Sequence, residues 1–437
     1  MAWRNDRTFW RRKCDLSGEM FISSYPSEAS APVYKPSEWW SDKWDPLSYG
    51  RDFDFSRPFF EQWGELMNEV PRLGIDIVNC ENSDYCNYCG DAKNCYLDIA
   101  GEGNEDCYFN LFTKHSTNCV DCTFVYNSEL CYECINSHNA YECYFSMNLE
   151  NCSDCAFSFD LKGCKNCLFC SNLRQQEYCI FNEKLTKDEY EKQKFELNLG
   201  SHKHVEHYRA QWIEVMKNAT HRDMVILNSE NSTGNDINSS KNTAFSFNVN
   251  NCEDCGFCYD VLDAKDCYDI NYSLYKPEAS CELISTLSMS YSAYCMASHY
   301  CGNVFYTDQC NNCQSLFGCI GMNQKKFCIL NKQYTSEEYT RLKEKIIEHM
   351  KTTGEWGQFF PEQYSPWAYN ETVAQEYLPL TKEQIVTKGL KWSDEDRGTK
   401  GAEGQSVEIP DSITDIDESI LKEALICSDT GKAFRII

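Results

Sequence analysis

A chain of 437 residues can hold one large core or two or three modest ones, and its net charge of -26 argues against a nucleic-acid backbone as partner, because phosphates need a basic surface. No window approaches the ~18 apolar residues of a membrane span, and no apolar run follows the Arg11-Arg12 pair to make a secretory leader. The expected compartment is the cytoplasm, where 29 cysteines read as reduced thiols or metal ligands before disulfides, and a basic protein is the partner that such an acidic surface favours.

Residues 1–78 carry one cysteine and many aromatics, among them Trp39, Trp40 and Trp44. Ser56 as N-cap, Pro58 in the first turn and Phe59, Phe60, Trp63, Leu66, Met67 and Val70 on one face predict a helix. This segment is expected to plug the first coil of the array that follows, since a repeat array leaves unpaired strand edges and an apolar section at its end.

From Cys95 a cysteine recurs every twelfth residue, at Cys107, Cys119, Cys131, Cys143, Cys155, Cys167 and Cys179. Runs such as Cys107-Tyr-Phe-Asn and Cys155-Ala-Phe-Ser alternate with Asn, Asp, Glu, Ser and Gly, so each period reads as a short strand and a turn, and the whole as a solenoid. The pattern occurs twice. Asn79, Glu81 and Asn82 return as Asn228, Glu230 and Asn231, and Cys164, Cys170 and Cys179 return as Cys313, Cys319 and Cys328, an offset of 149 (228-79, 313-164). In the middle the offset is 148 (255-107, 267-119).

Thr186 with Glu189 and Thr335 with Glu338 each fit a capping box, so a helix is expected after each array. Val205, Tyr208, Trp212, Val215 and Met216 predict a further helix near 205–217, and Tyr339, Leu342, Ile346, Ile347 and Met350 give the last one an apolar face. The segment 391–417 reads as an acidic linker. Cys427-Ser-Asp-Thr430-Gly431 echoes Cys14-Asp-Leu-Ser17-Gly18, both resembling zinc knuckles that have lost their second cysteine, and both read as tight turns, with an incomplete metal site as the competing reading. The chain stops inside an apolar run, so the natural protein is expected to continue beyond Ile437.

The predicted fold is mainly β: a right-handed parallel β-helix of two duplicated arrays with capping and intervening helices. The expected divisions are 1–78 (aromatic cap), 79–185 (first array), 186–227 (helical insert), 228–334 (second array), 335–390 (helical cap) and 391–437 (linker and knuckle-like tail). If a cysteine and the residue two further on share a face, that face carries Leu97, Phe109, Phe145, Phe157, Phe169 and Phe181. A twelve-residue coil has a perimeter of only about 40 Å and cannot hold such rings. A coil of about 24 residues is therefore favoured, with a narrow twelve-residue coil and outward aromatics as the alternative.

Many Cys-x-x-Cys pairs occur, and four thiolates can hold zinc. Residues three apart on an extended strand face opposite ways, so a pair such as Cys167 and Cys170 chelates only if the chain turns there. The best candidates are Cys152, Cys155, Cys164, Cys167, Cys310 and Cys313. The competing reading is a ladder of buried, reduced thiols used as small apolar side chains, with no cofactor. Asp260, Asp263, Asp266 and Asp269 suggest either turn residues or the carboxylates of a carbohydrate-active β-helix, and His202, His204 and His207 read as solvated.

Arg11-Arg-Lys-Cys-Asp-Leu-Ser-Gly18, the run from Trp39 to Glu61, and Gly163-Cys-Lys-Asn-Cys167 through Cys179-Ile-Phe-Asn-Glu-Lys184 resemble a group of uncharacterised cysteine-rich proteins of candidate-phylum bacteria. That resemblance implies β-solenoids with zinc-knuckle-like ends and no established activity. Three functions remain open: a non-enzymatic scaffold presenting a long acidic surface to a protein partner, a zinc-binding protein, and a carbohydrate-active enzyme.

Overall fold

In both cysteine-rich stretches the backbone turns at every third residue. Asn79, Asn82, Tyr85, Tyr88, Asp91, Asn94 and Leu97 all have φ between 46° and 56°, the left-handed region that most residues enter at a cost of roughly 1–2 kcal/mol. Asn and Asp tolerate it best, which is why they crowd these sequences. The computed structural model describes residues 1–395 and 409–436. Residues 396–408 of the expected linker, and Ile437, lie outside the described residues.

The cost of the corners is offset by bonds between turns. Glu81 N donates to Ala92 O (2.8 Å) and Glu81 O accepts from Asn94 N (3.0 Å). The middle residue of each triplet thus bonds through both its backbone groups to the chain twelve residues later. Parallel bridges follow that interval: Glu81↔Lys93↔Glu105↔Thr117↔Glu129, then Ser153↔Lys165↔Glu177 and Cys155↔Cys167↔Cys179. Each rung is therefore twelve residues and four corners. The favoured coil of 24 residues is corrected to twelve, because a left-handed residue resets the alternation and lengthens the side-chain period from two residues to three. Cys143, Ser146, Leu149 and Cys152 are all buried. The aromatics two positions after the cysteines sit at corners instead, where Phe145, Phe157, Phe169 and Phe181 stack with centroids 4.8, 5.1 and 4.9 Å apart.

The described residues form two units: Met1–Asp76 with Arg222–Ser393, and Ile77–His221 with residues 394–395 and 409–436. The second unit holds an eight-stranded sheet and the first an eleven-stranded one with parallel neighbours up to its last, antiparallel strand. In the eleven-stranded sheet Ile226 pairs with Ile237, a rung of eleven, and Tyr268 with Cys281, a rung of thirteen. These two slips account for the change of offset from 149 to 148 and back.

Four helices matter to the packing: α1 (Phe59–Glu69), α2 (Lys187–Glu196), α3 (His202–Asn218) and α4 (Ser336–Thr353). Both capping boxes form, Thr186 with Glu189 and Thr335 with Glu338. In the Ile77–His221 unit, α2 and α3 cover the Phe145–Phe157–Phe169 column with Tyr190, Val205, Tyr208, Trp212 and Val215. The other unit contains α1, which the sequence placed over the first coil of the first array. It lies on the late rungs of the second array, Phe59 against Tyr306 (5.2 Å) and Phe317 (5.4 Å). Its N-cap is Pro58, not Ser56, and the free amides of Phe59 and Phe60 are taken by the Glu355 carboxylate at 2.8 and 2.7 Å. A buried ion pair between Arg72 and Asp308 ties the same segment to the array.

Candidate functional site

The three-residue period brings together what an extended strand would separate. In the Ile77–His221 unit Cys152 and Cys155 face the same interior as Cys164 and Cys167 one rung on, and all four are buried. The four thiols influence one another's protonation, Cys152 through Cys155 and Cys164, and Cys167 through the same two. Cys310 and Cys313 lie in the other unit, within one rung, where Cys313 N donates to the sulfur of Cys301 at 3.3 Å. The pair Cys167 and Cys170, expected to face opposite ways, is likewise buried on one side of the chain. All 29 cysteines are free, and all but Cys80, Cys281 and Cys427 are buried.

What each thiol does is regular. Cys152 Sγ donates to Glu150 O and Leu161 O, both at 3.4 Å, and Cys155 Sγ to Ser153 O (3.3 Å) and Cys164 O (3.7 Å). Cys310 Sγ meets Asp308 O and Cys319 O at 3.6 and 3.5 Å. An inward residue thus donates to the carbonyl two residues back and to the one nine residues on. Serine does the first of these too: Ser128 Oγ donates to Tyr126 O at 2.9 Å. It also accepts the amide twelve residues later, Ala140 N, at 3.0 Å. That amide is the one the inter-rung ladder leaves over. The interior therefore selects small side chains that carry both a proton and a lone pair, which cysteine, serine and threonine provide.

Two carbonyl oxygens beside sulfurs such as Cys152, Cys155 and Cys310 favour the thiol over the thiolate there. The Cys155 thiol is pushed up, chiefly by its neighbour Cys143, and burial pushes up Cys310. Burial raises Cys295 to about 12. Cys313 goes the other way because it accepts from Cys301, which is raised in turn. Among the described residues no group of three or more His, Cys, Asp or Glu side chains is arranged to hold a metal ion.

The remaining candidates separate. Asp260, Asp263, Asp266 and Asp269 occupy four successive corners of one rung. They belong to four different columns, and each column is built from residues twelve apart: Asn248 Nδ2 bonds Asp260 at 3.0 Å and Asn251 Nδ2 bonds Asp263 at 2.6 Å. His202, His204 and His207 are exposed on α3. The terminal motifs are matching turns, with Gly18 N bonding Cys14 O and Gly431 N bonding Cys427 O. Both thiols are lowered: the Ser17 hydroxyl and nearby amides outweigh desolvation at Cys14, and the Thr430 hydroxyl leads at Cys427.

One buried acid escaped the reading of the sequence. Asp98 faces inward, fully buried, and desolvation raises its carboxyl to about 7. Only the three-residue period, invisible without the corners, reveals that it points inside.

No protein-family model and no curated protein matches the chain. Solved structures that match include a protein assigned as an acetyltransferase from Desulfovibrio desulfuricans, at 9% identity over 58% of this chain and a TM-score of 0.10. The match spans 61% of that protein, less than two thirds of its length. A UDP-N-acetylglucosamine acyltransferase from Campylobacter jejuni matches at 9% identity over 67% of this chain and 94% of its own, with a TM-score of 0.11. Likeness at this level carries no argument about function.

Proposed function

We propose that the chain is a non-enzymatic scaffold: a right-handed parallel β-helix made of two duplicated arrays, working in the cytoplasm and presenting an acidic surface to a basic protein partner. The observation that carries this reading is the use of the thiols. They face inward and give their protons to the chain's own carbonyls, so they serve the stacking of rungs and not a reaction. No helix among the described residues is long and apolar enough to cross a membrane. The net charge of -26 supports a basic partner held with a salt-dependent affinity.

Zinc is the second reading, favoured by Cys152, Cys155, Cys164 and Cys167 facing one interior on neighbouring rungs, although these side chains are not arranged as a metal-holding group. Against it stands the cost of removing four protons from thiols that already donate to carbonyls. Metal analysis of protein purified without added metal, with thiols counted before and after denaturation, separates the two. The scaffold reading expects almost no zinc and 29 thiols that react only once the chain unfolds, apart from the few at the surface. Several equivalents of zinc per chain would replace it with the second reading.

A further inference from the structure

We propose that the array of the Ile77–His221 unit holds one alkali-metal cation, Na+ or K+, in an interior chamber formed by Asp98, Gly101, Asn104 and Thr113. The two arrays provide the first argument. At the offset that aligns Cys107 with Cys255 and Cys119 with Cys267, seven successive inward positions of the second array are Cys255, which matches Cys107, and six others: Ser246, Val249, Cys252, Cys258, Val261 and Ala264. These are ordinary interior residues. Their counterparts are Asp98, Gly101, Asn104, Asn110, Thr113 and Ser116. Every one of the six changes toward a more polar or smaller side chain, and the loss of a valine at Gly101 coincides with the gain of a carboxylate beside it.

The second argument is geometric. A Cβ placed on Gly101 would lie 2.1 Å from Asp98 Oδ2 and 2.8 Å from Asn104 Nδ2, so the carboxylate leans into the room that the missing side chain leaves. Asn104 holds it there: Nδ2 donates to Asp98 Oδ2 (2.8 Å) and to Thr113 O (2.7 Å), while Oδ1 accepts from Ser116 N (3.1 Å). Asn110, stacked over Asp98, spends its amide on Cys119 O and Cys122 N. Two oxygens then remain without a partner, Asp98 Oδ1 and Thr113 Oγ1, each on a fully buried residue. They are the only side-chain oxygens left unsatisfied on residues of that array's interior among those described.

The chemistry names the occupant. Carboxylate and hydroxyl oxygens are hard donors, which suit alkali and alkaline-earth cations and not the soft metals that thiols prefer. One carboxylate supplies one negative charge, which a monovalent ion neutralises and a divalent one would exceed. A water molecule would satisfy the oxygens but leave the charge.

The test uses the full chain at pH 8, where Asp98 ionises unless something holds its proton. Hydrogen exchange of peptides spanning 86–125 is compared in sodium, potassium and choline chloride at equal ionic strength, with peptides from 234–264 as internal control. Protection in sodium or potassium should exceed that in choline about tenfold for the first set and not at all for the second. The double variant Asp98→Ser/Gly101→Val restores the second array's residues and should remove the difference. Should that variant fail to fold, Asp98→Asn, equal in volume and uncharged, should remove it as well. Equal protection in all three salts, meaning a proton or water in the chamber, overturns the proposal, as does an ion-specific difference that survives in the variants.

Discussion

The column of corners at Tyr294, Tyr306, Gly318 and Leu330 matches, at the offset of 149, the column at Phe145, Phe157, Phe169 and Phe181, yet the two are covered by different means. In the first, the ring that Phe169 supplies in the other array is missing. Phe59 of α1 takes its place, its ring carbons 3.0 Å from where a Cβ on Gly318 would stand. Seven of the eleven residues of α1 are buried, including Phe59, Trp63 and Leu66. In the second column the array keeps its own Phe169 and α3 lies above it, with Tyr208 5.5 Å from that ring, but no residue of α3 is buried. A glycine in a ladder thus lets a distant helix dock, while a phenylalanine fills the ladder and leaves the helix at the surface.

The comparison can be broken most severely at the docked ring. Phe59→Ala should cost about 4 kcal/mol of stability by chemical denaturation, as for a large ring lost from a packed core. Tyr208→Ala should cost about half as much, because its ring is only partly buried. Equal losses would mean that the two covers are equivalent. Hydrogen exchange should accordingly open α3 well before α1.

Next in size is the pH response of the Ile77–His221 unit. Its folded-state carboxyl at Asp98 is raised from 3.8 to about 7, so the favourable contribution is complete below the unfolded value and is lost as pH rises toward 7. In choline buffers this amounts to about 3 kcal/mol between pH 5 and pH 8. Denaturant midpoints across that range should show the fall in the native chain and a flat profile in Asp98→Asn. Sodium or potassium should flatten the native profile too, if the chamber takes an ion.

A smaller effect comes from refilling the glycine. Gly318→Phe makes the two columns alike, and it should cost about 2 kcal/mol because φ is +64° and the ring of Phe59 must move. Phe169→Gly, the reverse exchange, creates a hole beneath Tyr208 of α3. Smallest are the caps: Thr186→Ala and Thr335→Ala should each cost about 1 kcal/mol, as both make the same pair of bonds with the glutamate three residues on. A marked inequality between them would show that α2 and α4 differ in how far packing already holds their first turns.

The sequence by itself determined the twelve-residue interval, the two copies and the helices that close them, because a regular cysteine spacing and the Thr-x-x-Glu boxes are local signals. It also carried the one-residue slip between copies, which appears in the structure as a rung of eleven and a rung of thirteen. The interval was not enough to give the size of the coil. Alternation along a strand assumes extended backbone at every residue, and the left-handed corners at every third residue are stabilised only by bonds to the rungs on either side. Once those corners are present, Cys167 and Cys170 face the same interior, the phenylalanines move outside, and Asp98 points inward without a full set of partners. Which helix covers which array was likewise a tertiary decision, since nothing near Phe59 in the chain signals the empty place over Gly318.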